Sequence, residues 1–128
     1  MELGVGEDAV PARDGDEIEL VFGPQGGWHV EVGVRLVEID PGGTVVVYEA
    51  RREEDGALLS QMRYAVNVRR LEDDGDARVR RGDLAIFDIA SADEVVDRDV
   101  TIEARLEAES GQVIASDVRT LRVVDRVE

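Results

Sequence analysis

The side chains that could do chemistry in this sequence are few. His29 is the one histidine, and the chain has no cysteine. Histidine exchanges protons near neutral pH, so His29 is a candidate for a ligand, a switch or a general base. Without cysteine, thiolate chemistry and zinc–thiolate sites are excluded, and only carboxylates remain to complete a metal site. The pattern predicts either a ligand-binding His29 or a structural one that hydrogen-bonds the adjacent turn.

Two acidic turns offer the oxygen atoms that a hard cation needs. One contains Asp14 and Asp16, and the other contains Asp73, Asp74 and Asp76. Calcium takes about six to eight oxygen ligands, and sandwich domains can gather them from loops at one end. Neither turn has the spacing of an EF-hand loop, and in a chain with 30 acidic residues such clusters also arise by chance. These aspartates predict a calcium site, with ordinary acidic turns as the alternative.

Arginines gather locally, against the overall charge, within residues 69–81. They are Arg69, Arg70, Arg78, Arg80 and Arg81. Guanidinium groups bind carboxylate and sulfate through paired hydrogen bonds, so this patch could hold an acidic or sulfated glycan or a carboxylate-rich partner. The alternative is cross-strand ion pairing with the abundant acids. As binding residues we predict Arg69, Arg70, Arg80 and Arg81, together with His29.

Catalytic arrangements find little support in the sequence. A Ser-His-Asp triad would need His29 with one of the serines, and none of them stands in a nucleophile-elbow context. The glycine-rich residues 23–27 are not followed by Lys-Ser/Thr or by a helix, as a phosphate loop requires. We therefore predict a non-enzymatic protein without a cofactor, calcium excepted.

Charge restricts the partners. The formal net charge is −15, from 30 acidic residues and 15 basic ones, and every basic residue is an arginine. Such a chain repels phosphate backbones and anionic membrane surfaces, so we predict no nucleic-acid partner. No stretch approaches the roughly 18 apolar residues of a membrane span, and no signal peptide is visible, so no direct membrane insertion is predicted. Among the classes of partner, a protein or a glycan remains possible for this chain.

Strict alternation of apolar and polar residues predicts the elements that carry these groups. Residues 28–36 and 100–108 alternate throughout, which is typical of strands with one buried face. Further strands are predicted at 18–22, 44–52, 58–71, 84–89 and 112–124, the last with a bulge or a crossing from one sheet to the other near Ser116 and Asp117. Turn sequences separate them, including one at residues 81–83. A capping-box pattern at residues 91–94 predicts one helical turn.

These elements predict one all-β domain over residues 1–128, an immunoglobulin-like antiparallel β-sandwich of about seven strands. A small barrel is the competing closure. The buried disulfide of antibody domains has no counterpart here, because cysteine is absent. We expect Trp28, at the start of a long inner strand, to fill the core instead.

The segment GPQGGWHV at residues 23–30, preceded by DGDEIEL, resembles a segment of secreted or lipoprotein ectodomains of high-GC Gram-negative bacteria. The likeness covers residues 2–50 well and the rest by pattern. It implies an immunoglobulin-like fold, an envelope or extracellular location and a non-enzymatic interaction or structural role. It brings no ligand and no site residues. The alternative function is a small-ligand or metal-binding protein that uses His29 and the acidic loops.

Overall fold

In the computed structural model, which describes residues 1–23 and 27–125, the alternating segments form two packed sheets. Within these residues there is no α-helix, and there are two single-turn 3-10 helices, Val68–Arg70 and Ala92–Glu94. The second has the predicted capping box. The strands are β1 (Glu2–Val5), β2 (Val10–Pro11), β3 (Glu17–Glu19), β4 (Val21–Phe22), β5 (Trp28–Val37), β6 (Val45–Arg52), β7 (Leu58–Ala65), β8 (Glu72–Asp74), β9 (Ala77–Phe87), β10 (Asp99–Glu107) and β11 (Val113–Val124).

The strand order is that of an immunoglobulin-like sandwich. The first sheet has the order β2-β1-β5-β9-β8, with β4 pairing to β5, and the second has the order β3-β11-β10-β6-β7. The series β1-β5-β9-β8 corresponds to strands ABED of the immunoglobulin fold, and β7-β6-β10-β11 corresponds to the C′CFG sheet. The predicted fold class is confirmed. All pairs are antiparallel except β3 with β11, which run parallel.

Backbone hydrogen bonds fix the parallel pair at the side of the sandwich. The Gly15 amide donates to the Thr120 carbonyl at 2.9 Å, the Arg122 amide to the Asp16 carbonyl at 2.9 Å, and the Leu20 amide to the Val124 carbonyl at 2.8 Å. Directly after β3, the chain passes to the other sheet, because β4 pairs with β5. The region predicted as one strand at 18–22 therefore divides between the two sheets.

The described residues form eleven strands, so the predicted count of about seven was too low. Much of the excess comes from residues 2–22, which break into four short strands. The strand predicted at 58–71 ends at Ala65, because the Asn67 side chain accepts a hydrogen bond from the Arg69 amide and starts a 3-10 turn. The turn predicted at 81–83 was wrong, since β9 continues through it with a bulge.

The bulge in the last strand lies earlier than predicted. Leu106 pairs with Ala115 and Glu107 with Val113, which leaves Ile114 as the extra residue. The change in the apolar pattern near Asp117 is not caused by this bulge. Asp117 is a nearly buried polar residue, and its position is tolerated because its carboxylate accepts the Leu3 amide of β1 at 2.7 Å.

Tyr48, and not Trp28, is the large aromatic residue of the central core. Tyr48 is fully buried on β6, the strand on which antibody domains carry their core tryptophan. Trp28 is half-buried at one end, where its ring lies 4.7 Å from that of the exposed Phe22. The fully buried residues of the inner faces include Val30, Val32, Val34, Val46, Tyr48, Ala50, Val100, Ile102, Ala104, Leu106, Leu121 and Val123.

Replacement of Trp28 by alanine should therefore lower the free energy of unfolding by about 2 kcal/mol. A fully buried tryptophan would cost about 3 to 5 kcal/mol, and Trp28 is only partly buried. Urea unfolding followed by circular dichroism measures the loss, with Tyr48→Ala as the comparison that should be more damaging. A larger loss for Trp28→Ala than for Tyr48→Ala would contradict this assignment of the core.

Residues 6–9 fold over the outer face of the first sheet and press on two strands. Ala9 is fully buried, with a positive φ of 49°. A Cβ atom on Gly4 would lie 2.5 Å from the Ala9 carbonyl oxygen. On Gly33 it would lie 2.3 Å from the Arg80 carbonyl oxygen and 2.8 Å from Ala9 Cβ. Both strands therefore need glycine where this loop crosses them.

Candidate functional site

The bulge in β9 shapes the site that contains most of the predicted arginines. Val34 of β5 pairs with Arg80 and Val32 pairs with Asp83, so β9 has one extra residue at this point. Gly82 accommodates it with a φ of 82°, a conformation that costs glycine little. The bulge keeps Arg80 and Asp83 on the inner face and close to each other.

Next to this bulge lies a groove of about 400 Å³, which we call the arginine groove. Its floor is the bulged part of β9, and its wall is the chain that leads from β7 to β8. The lining residues are Asn67, Arg70, Leu71, Glu72, Val79, Arg80, Arg81, Gly82 and Asp83.

Arg80 and Asp83 form the buried side of the groove. Arg80 Nε and Nη2 donate to the two Asp83 carboxylate oxygens at 2.8 and 2.9 Å. Asp83 also accepts the Tyr48 hydroxyl at 2.6 Å, and the Arg80 guanidinium lies 5.5 Å from the centre of the Tyr64 ring. Burial, followed by the charge and the hydrogen bond of Asp83, raises the pKa of Tyr48 well above its ordinary value. Burial lowers the pKa of Arg80, but the hydrogen bond and charge of Asp83 outweigh it and leave the pKa raised.

This cluster joins the two sheets where β7 meets β9. The Tyr64 hydroxyl donates to the Leu84 carbonyl at 2.6 Å, and Arg80 Nη1 reaches the Ala65 carbonyl at 3.4 Å. Further along, the Asp88 amide donates to the Leu59 carbonyl at 2.7 Å. A buried charge is tolerable only when it is paired and hydrogen-bonded, as both charges are here. Arg80 is therefore ion-paired within the fold, which is the arrangement that the ion-pairing alternative predicts.

Arg81 is also paired, but at the surface. Its guanidinium lies 2.7 Å from a Glu72 oxygen and 3.0 Å from an Asp8 oxygen. The hydrogen bond and charge of Glu72 raise the pKa of Arg81. Arg78 lies outside the groove lining and donates to the Val68 carbonyl at 3.4 Å.

Arg69 and Arg70 differ from the other members of the patch. Together with Arg13 they are the arginines within residues 1–23 and 27–125 whose guanidinium groups have no hydrogen bond or ion pair to another described residue. Arg70 lines the arginine groove, whereas Arg69 does not. The lining has three arginines against Glu72 and Asp83, and Asp8, from outside the lining, supplies a third carboxylate to Arg81. The charges of this cluster therefore balance, while Arg70 itself is not paired with any of these acids.

The predicted calcium ligands have other contacts in the structure. Asp14 accepts the Thr120 amide at 2.9 Å and Asp16 accepts the Arg13 amide at 2.9 Å, so both hold the turn that leads into β3. Asp74 pairs with Arg35 at 2.9 Å. Asp73 and Asp76 are exposed at the β8–β9 hairpin. Over the described ranges, no group of three or more His, Cys, Asp or Glu residues is placed to hold a metal ion. The calcium site stays a prediction.

His29 lies away from the arginines. It is on the outer face of β5, opposite Val21 and Ile86. There it lines a second groove of about 400 Å³, mainly apolar, together with Gly27, Leu84 and Ile86. The two grooves have no lining residue in common. Residues 24–26, the turn that His29 was predicted to fix, lie outside the described residues.

Sequence reasoning missed the other polar residues of the arginine groove and its buried side, namely Tyr48, Tyr64, Asn67, Glu72 and Asp83. Asp83 was assigned to a turn because Arg81-Gly82-Asp83 has turn composition. A usable signal was present, since residues 77–87 are long enough for one strand and a single glycine within a strand often marks a bulge.

Known proteins offer no further guide to the site. No protein-family model matches this chain, and a search of curated proteins finds no match either. No helix in the described ranges has the length and apolar character that crossing a bilayer requires.

Proposed function

We propose that this β-sandwich is a non-enzymatic interaction module of the cell envelope or the extracellular space, which holds a protein or glycan partner in the arginine groove. The observation that carries the proposal is Arg70. Arg70 lines the groove, and its guanidinium has no hydrogen bond or ion pair to another described residue. In a chain with 30 acidic residues, an unpaired cation at a concave site favours a partner that supplies the anion.

The roles of the other polar groups support a non-enzymatic function. Asp83, the buried carboxylate of the groove, already accepts hydrogen bonds from Arg80 and Tyr48. Glu72 is engaged by Arg81. A general base must be within reach of the proton that it removes, and these carboxylates are instead held by cations. The envelope or extracellular location is supported by the resemblance of residues 23–30.

The chemistry of the groove favours a carboxylate or sulfate group on the partner. Arginine binds such groups with two parallel hydrogen bonds, which gives orientation as well as attraction. The rest of the surface repels anions, so binding must be local and must weaken as salt screens the contact. Binding of a polyanion that does not depend on the arginine groove would not be the local binding proposed here.

Loss of Arg70 is expected to remove binding while loss of Arg69 is not. Titration calorimetry would compare polyglutamate, an oligogalacturonate, a heparin fragment and neutral dextran. At least one anionic probe should bind, and Arg70→Gln should weaken that binding by about tenfold or more. Arg69→Gln is the matched control, because it removes the same charge from the same turn without altering the groove, and it should change affinity by less than about twofold.

Two results would reject the proposed function. One is that no anionic probe binds the natural chain. The other is that both glutamine variants lose affinity equally, which would indicate diffuse attraction to the 69–70 turn. Unchanged melting temperatures of both variants would establish that the fold is intact.

A further inference from the structure

The arginine groove contains a strand edge that the fold leaves open. β8 pairs with β9 only from Ala77 to Val79, where Glu72 is the last partner. Ala77 and Val79 direct their backbone groups toward β8, and hydrogen-bonding direction alternates along a strand. Arg81 lies two residues beyond Val79 and before the bulge residue Gly82, so this alternation predicts that its amide and carbonyl face the same side. No strand in the described part of the chain lies beside it there.

Two backbone groups further along this side of β9 are covered. The Leu84 carbonyl accepts the Tyr64 hydroxyl, and the Asp88 amide donates to the Leu59 carbonyl. At Arg81 the open edge lies within the groove, whose lining includes Arg70. An unpaired strand edge is a template for another extended chain.

The side chains around this edge suit a peptide better than a sugar. Leu71 and Val79 give the groove an apolar part, and the Asn67 amide nitrogen has N–H groups that no described residue accepts. A sugar ring is usually held against an aromatic face. None of the described lining residues is aromatic, and the nearby Tyr64 ring is faced by Arg80.

We propose that the arginine groove binds an extended acidic peptide. The peptide backbone continues the first sheet beside Arg81, where β8 ends, and a glutamate or aspartate side chain of the peptide pairs with Arg70. This inference rests on the proposed function and specifies its partner class. Backbone hydrogen bonds supply affinity in such strand addition, and the charged pair selects the sequence.

The experiment measures the affinity of a short peptide, blocked at both ends, with a central glutamate flanked by valines. A glutamine peptide of the same sequence should bind about tenfold more weakly or not at all. A version with N-methylated amides around the glutamate keeps the carboxylate but cannot donate backbone hydrogen bonds, and it should also lose about tenfold. Arg70→Gln should lower affinity for the glutamate peptide to that of the glutamine peptide, whereas Arg69→Gln should not.

The outcomes separate this inference from the proposed function. Equal binding of the glutamate and N-methylated peptides would overturn the strand addition, and equal binding of the glutamate and glutamine peptides would overturn the pairing with Arg70. Arg70-dependent binding of the oligogalacturonate without any peptide binding would overturn the inference and leave the proposed function standing. Failure of all anionic probes would overturn both.

The site of binding can be checked by NMR spectroscopy. The backbone amide signals of β8 and β9 should shift when the peptide binds, while those of β1, in the same sheet, should not.

Discussion

Replacement of Asp83 by alanine is expected to lower the free energy of unfolding by about 3 kcal/mol or more. The Asp83 side chain is 6% exposed and accepts hydrogen bonds from Arg80 and from Tyr48. Its removal leaves Arg80, whose side chain is 19% exposed, without its anion and the Tyr48 hydroxyl without its acceptor. Uncompensated buried charge typically costs about 3 to 5 kcal/mol.

Urea unfolding of the Asp83→Ala variant would measure this loss. Asp88→Ala is the matched control, because Asp88 is an exposed aspartate just beyond β9, and it should change stability by less than about 0.5 kcal/mol. Arg80→Ala should be much less damaging in the Asp83→Ala background than in the natural chain, since the two charges interact directly. Additive losses would show that the pair is not coupled and would refute the account of the buried cluster.

Gly33→Ala is expected to destabilise the protein by about 3 kcal/mol or more, although it adds a single methyl group. The new Cβ would meet the Arg80 carbonyl oxygen at 2.3 Å, and Ala9 Cβ would lie 2.8 Å away. Neither contact belongs to a flexible side chain, so either β9 or the loop at residues 6–9 must move. Overpacking of a well-packed region costs about 1 to 3 kcal/mol, and displaced backbone puts this case at the upper end or beyond.

Gly27→Ala provides the comparison for Gly33→Ala. The nearest atom to an added Cβ on Gly27 is Ile86 Cγ2 at 3.9 Å, an ordinary contact. The Gly27 variant should remain within about 0.5 kcal/mol of the natural chain. If the Gly33→Ala variant has the same urea midpoint of unfolding as the natural chain, residues 6–9 do not press on β5.

The fold followed from the sequence wherever one side of a strand is apolar and the other polar. Residues 28–36 and 100–108 alternate without interruption, and they form β5 and β10. The pattern failed where a side chain hydrogen-bonds to backbone across the sandwich. Asp117 is nearly buried for that reason, and its polarity suggested a bulge at the wrong place. Short strands such as β2 and β4 contain too few residues for any period to be recognised.

The site was predictable in composition and not in arrangement. Clustered arginines within residues 69–81 indicated a local cation patch, and three of the four predicted members line one groove. Which of them are paired depends on the bulge at Gly82 and on Glu72 and Asp8, and Asp8 is remote from the patch in sequence. Alternation alone places Trp28 on the inner face of β5. It does not show that Trp28 lies at one end of the sandwich, where the residue is only partly buried.

The parallel pairing of β3 with β11 has a mechanical consequence. The two strands lie side by side, and residues before β3 and after β11 leave the pair in opposite directions. Tension applied to the chain just before β3 and just after β11 would therefore act along the strands, loading the hydrogen bonds of Gly15, Leu20 and Arg122 together and not one after another. Bonds that must break at the same time resist a pulling force much better than bonds that open in sequence. The β3–β11 pair is therefore the part of the sandwich that is arranged to resist a pulling force along its strands.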